Sequence, residues 1–410
     1  MGPCRWPPNR SPRADGLRPG GIAASLVGME ILHRSFPASL LLLLALAAGP
    51  VELRGQGFDI HPVISGEPSC PDGRLVVEKT RTLSGEHVVE AAQLQRDQRG
   101  RFYLWSETVP TAVSVFGPDG EFLRDLGGEG EGPGEFRFIG AISVGPGDTL
   151  RVYDEALRRV STFLPDGLEL VGTRRLPISF WPGGVLRLPD GRTVLNQLLR
   201  TEGGSGLPLH LVDAEGELVR SFGRQTRRML PGDEPLLARE LAEYRGDVVS
   251  VANFHYVVEM WDPDTGRLIT GFERRPEGFR PRRRGEVTDP EEGVPPSSQV
   301  WDLRVDREGR LWVLAQVPVE DWEEHVEMTT FRHEEFTERV PRIDDIEAYD
   351  TVIDVIDLEA RRLVATRRVD APLRGWVDPG HAFSYREADG VLPRLDVWEV
   401  SLEPPPRRRR

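Results

Sequence analysis

Cysteine is almost missing from this chain, with Cys4 and Cys70 the only two in 410 residues. Cys4 falls in a leader segment described below, so Cys70 stands alone in the body, and neither an intramolecular disulfide nor a cysteine-based metal site is available. Its setting, GEPSCPDG, is a turn-rich approach to a strand and reads as a bystander. Lysine is scarcer still, Lys79 being the single one among 52 basic residues. The arginine skew carries no functional weight. Beyond residue 70 there is almost no sustained helical period of apolar residues, which excludes a helical body. Positive charge is also short: without residues 1–57 the chain holds 46 basic against 63 acidic residues, a balance of −17. Such acidity repels nucleic acid and anionic lipid headgroups.

One long apolar run exists, Leu40 to Ala48, preceded by His33 and Arg34 and accompanied by the small residues Ala45, Ala47 and Gly49. That is the grammar of a secretory signal, and it is too short for an anchor, since spanning takes about 20 apolar residues. Residues 1–28 are rich in Pro, Arg and Gly, which points to Met29 as the start. No cysteine follows the run, which speaks against a lipid anchor. The expectation is an exported monomer, periplasmic or extracellular, with a leader over 1–57, no transmembrane anchor, and a polar, frayed tail over 404–410.

What fills the remainder is a series of short β-branched segments divided by Asp-Gly turns, which reads as all-β. SVFGPDGEFLRDLG (114–127), STFLPDGLELVGT (161–173), HLVDAEGELVRSFG (210–223) and EMWDPDTGRLITGF (259–272) share one pattern of strand, tight turn and strand. Their turn glycines, Gly120, Gly167, Gly216 and Gly266, follow one another at 47, 49 and 50 residues. A fifth copy, 354–369, arrives after an insertion. Each copy is preceded by another hairpin, giving four strands per repeat, the size of a propeller blade. The segment 381–402 supplies a sixth hairpin, and GRLVVEKTRTL (73–83) is placed to complete its blade as the outer strand, which closes the ring and removes exposed edges. The predicted fold is a six-bladed β-propeller of four-stranded antiparallel blades over 58–403, closed by its N- and C-terminal segments sharing the last blade.

Within that frame GGEGEGPGEF (127–136) is the crossing from blade 1 to blade 2. Glycine accepts positive φ and close neighbours there, Pro133 stiffens the bend, and Phe136 and Phe138 are placed to enter the space between sheets. The missing GxxxxGK[ST], and Glu129, Glu131 and Glu135, speak against a phosphate loop and for a structural turn. This crossing, followed by GPGDTLRVYDEALRRVSTFLPDG, resembles the six-bladed propellers related to NHL repeats found in exported bacterial proteins. FSYREADGVLPRLDVWEVSL resembles their last hairpin. The resemblance implies a brace between an Asp ending a blade's second strand and an Arg opening its third, matched by Asp154 and Arg159. Leu157 replaces the usual Asn between them, and blades 1, 3, 4 and 5 lack the pair.

Residues with chemical potential are sparse. His87, His210, His255 and His381 come from different blades, and convergence on a metal is the reading that would make them functional. Trp181, in SFWPGG, is the tryptophan best placed for exposure; Trp105, Trp261, Trp301, Trp312, Trp376 and Trp398 lie in alternating segments and are expected to pack between blades. The insertion over about 318–350 holds His325 and His333, but HEEFT has Thr337 where a zincin needs histidine. Trp322, Val326, Phe336 and Val340 are spaced for a short amphipathic helix on the rim, as a lid, a docking element or decoration. The connection over about 275–298 is rich in Pro, Arg and Glu, and reads as disordered or as an anion clamp. No cofactor is implied. The leading reading is a non-catalytic scaffold binding an unknown protein or small molecule at one channel end, whose mouth is then expected to be lined mostly by backbone and apolar groups. The alternative is a metal-assisted hydrolase or lyase at that mouth.

Overall fold

Each Asp/Gly turn closes an antiparallel pair, so strand order follows directly from turn spacing. A computed structural model of the chain describes residues 63–403 apart from 65–67, 69–73, 200–205, 225–237, 284–285, 333–336 and 389–390. The leader, Cys70, His333, Phe336 and the tail 404–410 lie outside the described residues. Two strands come first, β1 (Val63–Ile64) and β2 (Arg74–Ser84). Blade 1 is β3 (Gln93–Arg96), β4 (Phe102–Trp105), β5 (Ala112–Phe116) and β6 (Phe122–Gly127). Blade 2 is β7 (Ile139–Val144), β8 (Leu150–Asp154), β9 (Arg159–Phe163) and β10 (Leu170–Arg175). Blade 3 is β11 (Val185–Arg187), β12 (Thr193–Asn196), β13 (Leu209–Val212) and β14 (Leu218–Phe222). Blade 4 is β15 (Arg239–Tyr244), β16 (Asp247–Ala252), β17 (Val257–Asp262) and β18 (Arg267–Arg274), with β1 added in parallel on its outer edge.

Blade 5 begins with β19 (Gln299–Val305) and β20 (Arg310–Pro318), is interrupted by the hairpin β21 (Val326–Arg332) and β22 (Thr337–Ile343), and resumes with β23 (Tyr349–Asp357) and β24 (Arg362–Val369). Blade 6 is β25 (Leu373–Asp378), β26 (His381–Ala388) and β27 (Val391–Glu403), completed by β2 on the outside. The pairing of β2 with β27 runs antiparallel from Arg74↔Glu403 to Ser84↔Arg394. A strand from the N-terminal side and the last strand thus share one sheet, and the six-bladed ring closes. Among the described residues no helix is long and apolar enough to cross a membrane.

The hydrophobic core is divided into six, one cluster per seam between neighbouring blades. Strand alternation makes this possible, because odd and even residues of one strand serve opposite seams. On β2 a bulge at Thr80 reverses the alternation, so Leu75 joins the seam of blades 5 and 6 while Leu83, also odd-numbered, joins that of blades 6 and 1. Trp105, Trp261, Trp312 and Trp376 are buried in these seams, and Trp301 and Trp398 are half-buried.

The crossing 127–136 is ordered by its own backbone. Phe136 N donates to Gly128 O at 2.7 Å, Gly128 N donates to Thr111 O at 2.9 Å, and the Phe136 ring is fully buried between blades 1 and 2. Phe138 is only half-buried. Gly127 (φ 107°) has no room for a side chain: a Cβ there would stand 2.5 Å from the Phe136 ring.

Three expectations are corrected. The insertion forms a single 3-10 turn, Trp322–His325, followed by the β21–β22 hairpin in place of an amphipathic helix. Its TT and V-P segments suit a strand pair, and Pro341 would have removed a helical hydrogen bond. Of the residues named for that helix, Trp322 and Val326 are nevertheless buried. The 275–298 connection is described at all but two positions and is pinned by an Arg280–Glu286 ion pair, by Ser298 Oγ accepting from Arg280 N at 2.9 Å, and by Phe279 packed on Tyr256. Its arginines are thus partly neutralised by their acidic neighbours. Lastly, blade 6 contains a full inner strand, β25, that the hairpin pattern did not reveal, because its Arg374-Gly375 pair interrupts the alternation.

Candidate functional site: the channel mouth

Six inner strands, β3, β7, β11, β15, β19 and β25, surround the axis, and their first residues define one mouth. Three of them carry a β-bulge there. The unpaired extra residues are Gly140 in β7, Trp301 in β19 and Arg374 in β25. A bulge re-aims its side chain out of the alternating pattern. At Gly140 no side chain is tolerated, since a Cβ would meet the Phe180 ring at 2.8 Å. Trp301 and Arg374 converge instead: the guanidinium carbon lies 5.6 Å from a Trp301 ring centroid and 5.8 Å from that of Tyr385. Arg374 is 6% exposed, and its Nη1 donates to Glu90 Oε1 at 2.5 Å. Arg374 Nε and Trp301 Nε1 are buried and have no hydrogen-bond partner. Two donors at the mouth are therefore unsatisfied, which costs free energy until an acceptor arrives.

The insertion borders this group. Its returning turn places Asp345 where burial raises the carboxyl pKa, Arg374 lowers it, and Glu90 and Asp344 raise it further. Burial and then Asp345 raise the Tyr349 phenol. Ile346 of the same turn packs on the apolar seam between blades 6 and 1, so a segment rooted in blade 5 reaches across the rim to its second neighbour. At its other side Arg339 of β22 pairs with Glu291 at 2.9 Å and with Asp289 at 3.7 Å, tying the hairpin to the 275–298 connection.

Adjacent inner strands β15 and β19 add a second pair of acids. Burial first, and the neighbouring negative charge of Asp302 second, push Glu240 up to about 8, while Asn253 Nδ2 donates to its Oε1 at 2.9 Å. Burial also raises Asp302 to about 6, opposed by backbone donors Trp376 N and Leu303 N, each at 2.7 Å. Burial and the neighbouring charge thus favour the protonated form of Glu240 more strongly than that of Asp302. The mouth is thus charged and aromatic, where a lining of backbone and apolar groups had been expected.

The structure does not gather the histidines named from sequence. His210, on β13, is 1% exposed with both ring nitrogens occupied, Nδ1 by Ser221 Oγ at 2.8 Å and Nε2 by Gln197 O at 2.9 Å, and burial lowers its pKa. His255 lies in the β16–β17 turn of blade 4, its pKa lowered by burial. His381 opens β26 with Nδ1 2.8 Å from Asp378 Oδ1. His87 is stacked flat on Phe122 at 3.5 Å. Among the described residues no three His, Cys, Asp or Glu side chains form a group able to hold a metal ion. Trp181 is half-buried before β11, its backbone N donating to Asn196 O at 2.9 Å.

Asp154 and Arg159 stand opposite each other in register across β8 and β9. Each holds the crossing loop. Buried Asp154 accepts from Arg137 N and Leu157 N, both at 2.8 Å, and Arg159 donates to the carbonyls of Glu131 (2.7 Å) and Gly132 (3.0 Å). Sequence reasoning missed Glu90, Glu240, Asp302, Asp345, Tyr349, Arg374 and Tyr385. The available signal was the break in alternation at Val300-Trp301-Asp302 and Leu373-Arg374-Gly375.

Comparison with known proteins agrees with this architecture. Residues 90–194 match the model of a family described as a 6-bladed beta-propeller. The comparison with curated proteins found no match. Among solved structures, a Bacteroides fragilis protein provisionally named as exported is 13% identical, with a TM-score of 0.50 over 82% of this chain and 99% of that one. Virginiamycin B lyase from Staphylococcus aureus is 9% identical with a TM-score of 0.42, covering 80% and 99%. Hydrazine synthase of Kuenenia stuttgartiensis is 12% identical with a TM-score of 0.40, covering 70% and 68%. With its six antiparallel sheets, shared last blade and matching family model, the chain has the fold of a six-bladed β-propeller.

Proposed function

We propose that this protein is an exported, monomeric propeller, related to the NHL-type group, that binds a ligand or protein segment at the bulged channel mouth without transforming it. The observation that carries the reading is the Trp301–Arg374 pair. Two bulges set an aromatic face and a buried guanidinium side by side, each with a donor still unpaired. That is an arrangement for an acceptor-bearing group that also stacks, such as a peptide carboxylate or amide. The insertion, reaching from blade 5 to the seam of blades 6 and 1, supports a lid that frames the same opening. Export is supported by the secretory grammar of the leader.

The test compares wild type with Trp301→Ala and Arg374→Met. Each is produced with its leader, recovered from the periplasmic fraction and examined by native mass spectrometry for retained peptides or small molecules. The expected result is a species retained by wild type and lost by both variants, on a chain whose N-terminus lies beyond Ala47. Identical spectra for all three chains, or a chain retained in the cytoplasm with its leader intact, would overturn the corresponding half of the reading.

A further inference from the structure

The seam between blades 2 and 3 contains a second feature, toward the opposite end of the channel. Its apolar cluster has seven buried members, as does that of blades 3 and 4, against 12 to 15 in the other four seams. Strand alternation explains what replaces them. Leu150 and Val152 of β8 face blade 1, so Arg151 and Tyr153 face blade 3. Ser143 of β7 shares the side of Ala141, Arg187 of β11 that of Val185, and Thr193 of β12 that of Leu195, all directed into this seam. Arg174 of β10 reaches over the same gap, where its Nη1 donates to the carbonyls of Asp213 and Ala214.

These polar groups face one another without completing hydrogen bonds. Ser143 Oγ, Arg151 Nη1, Tyr153 Oη, Arg174 Nε and Thr193 Oγ1 are all buried and unpartnered, and Tyr153 and Thr193 are only 1% and 0% exposed. Ser143 Oγ adjoins Tyr153 Oη, yet neither completes a bond of acceptable geometry to the other. Burial lowers the Arg151 pKa, and so do Arg187 and Arg174, with no carboxylate acting on it. Burial raises Tyr153, against the pull of the same three arginines. One acid feels Arg174, namely Asp213, but its Oδ1 is committed to its own turn, accepting from Glu215, Gly216 and Glu217 N.

Three guanidinium groups gathered with one carboxylate, Asp213, acting on Arg174 and none acting on Arg151, in a chain of net charge −14, are costly unless an anion joins them. Hydroxyls and arginine N–H groups that all lack acceptors specify what it must be. We propose that the seam between blades 2 and 3 is a binding site for a small oxyanion of the sulfate or phosphate type, held by Arg151, Arg187, Arg174, Tyr153, Ser143 and Thr193. The bound anion would act as a structural staple between the two blades.

The purified full-length chain is titrated calorimetrically with sulfate, with inorganic phosphate and with chloride at matched ionic strength, and its melting temperature is followed under the same three salts. Saturable one-site binding of sulfate or phosphate is expected, with chloride inert. Whichever of the two binds more tightly identifies the source chemistry. Arg187→Gln and Arg151→Gln are expected to weaken binding about tenfold or more, the cost of a lost charged hydrogen bond. Both variants are expected to melt higher than wild type in chloride, because repulsion among the cations is relieved. Sulfate stabilises proteins generally by exclusion, so the variants also serve as the control for that effect. No saturable binding by wild type, or affinity unchanged in Arg187→Gln, would overturn the site.

Discussion

Arg374 and Trp301 are each the extra residue of a β-bulge, on neighbouring inner strands, and their side chains meet 5.6 Å apart at the channel mouth. A regular strand would have sent both into seams. The two irregularities convert residues of packing type into a site, and they do so next to Asp345 of the insertion.

That proximity gives the first prediction. Arg374 lowers the Asp345 pKa against the upward effects of burial and of Glu90 and Asp344. In Arg374→Met the opposing charge is gone, so Asp345 should titrate at a higher pH than in wild type. Carbon-detected NMR of the side-chain carboxyl reads this directly. An unchanged midpoint would show that the insertion does not reach Arg374 in solution.

Glu240 gives the second. Its ordinary value is 4.5, and in the fold it stands at about 8. Between those values the folded chain keeps a proton that the unfolded chain has released, so the stability contribution present below 4.5 declines as pH rises and levels off above 8. Glu240→Gln retains the oxygen that accepts from Asn253 and removes this dependence. Its melting temperature should match wild type at pH 4.5, exceed it increasingly up to pH 8, and run parallel beyond. Curves that are parallel throughout would mean that Glu240 titrates normally.

The blade count and closure were legible because turn chemistry is local. An Asp-Gly turn declares itself within four residues, and four such glycines recur at 47, 49 and 50 residues. Most tryptophans could be assigned to seams because period-two alternation fixes their direction. The mouth was not legible, since a bulge depends on how two strands register: the break in alternation at Leu373-Arg374-Gly375 marks an irregularity but not which residue is left over. The insertion was misread for a similar reason. Its apolar spacing suits either a helix or a strand pair, and pairing Val326 with Ile343 decided between them. The arginines between blades 2 and 3 come from β8, β10 and β11, so only the folded seam brings them together.

The third prediction concerns the seam of blades 4 and 5. Arg274 Nε donates to Asp354 Oδ2 at 2.9 Å, Tyr256 donates to the same oxygen at 3.1 Å, and Asp354 is fully buried. Removing one partner leaves the other charge uncompensated, which costs about 3–5 kcal/mol, whereas removing both can be nearly neutral. Arg274→Met should therefore be more destabilising than Arg274→Met combined with Asp354→Leu, measured by urea unfolding. Additive losses would show that the two residues do not act as a pair.

Ring closure supplies the last prediction. Leu83, on the strand contributed from the N-terminal side, is fully buried between blades 6 and 1, while its strand is held to β27 along its whole length. Leu83→Ala removes apolar contacts and leaves a cavity, at a cost of about 2–5 kcal/mol. The loss falls where the chain's two ends meet, so it should loosen closure before it loosens any interior blade. Hydrogen exchange is expected to accelerate first in β2 and β27, with β8 and β12 still protected. Equal acceleration in all six blades would show that the propeller opens as one unit and that the shared blade is no weaker than the rest.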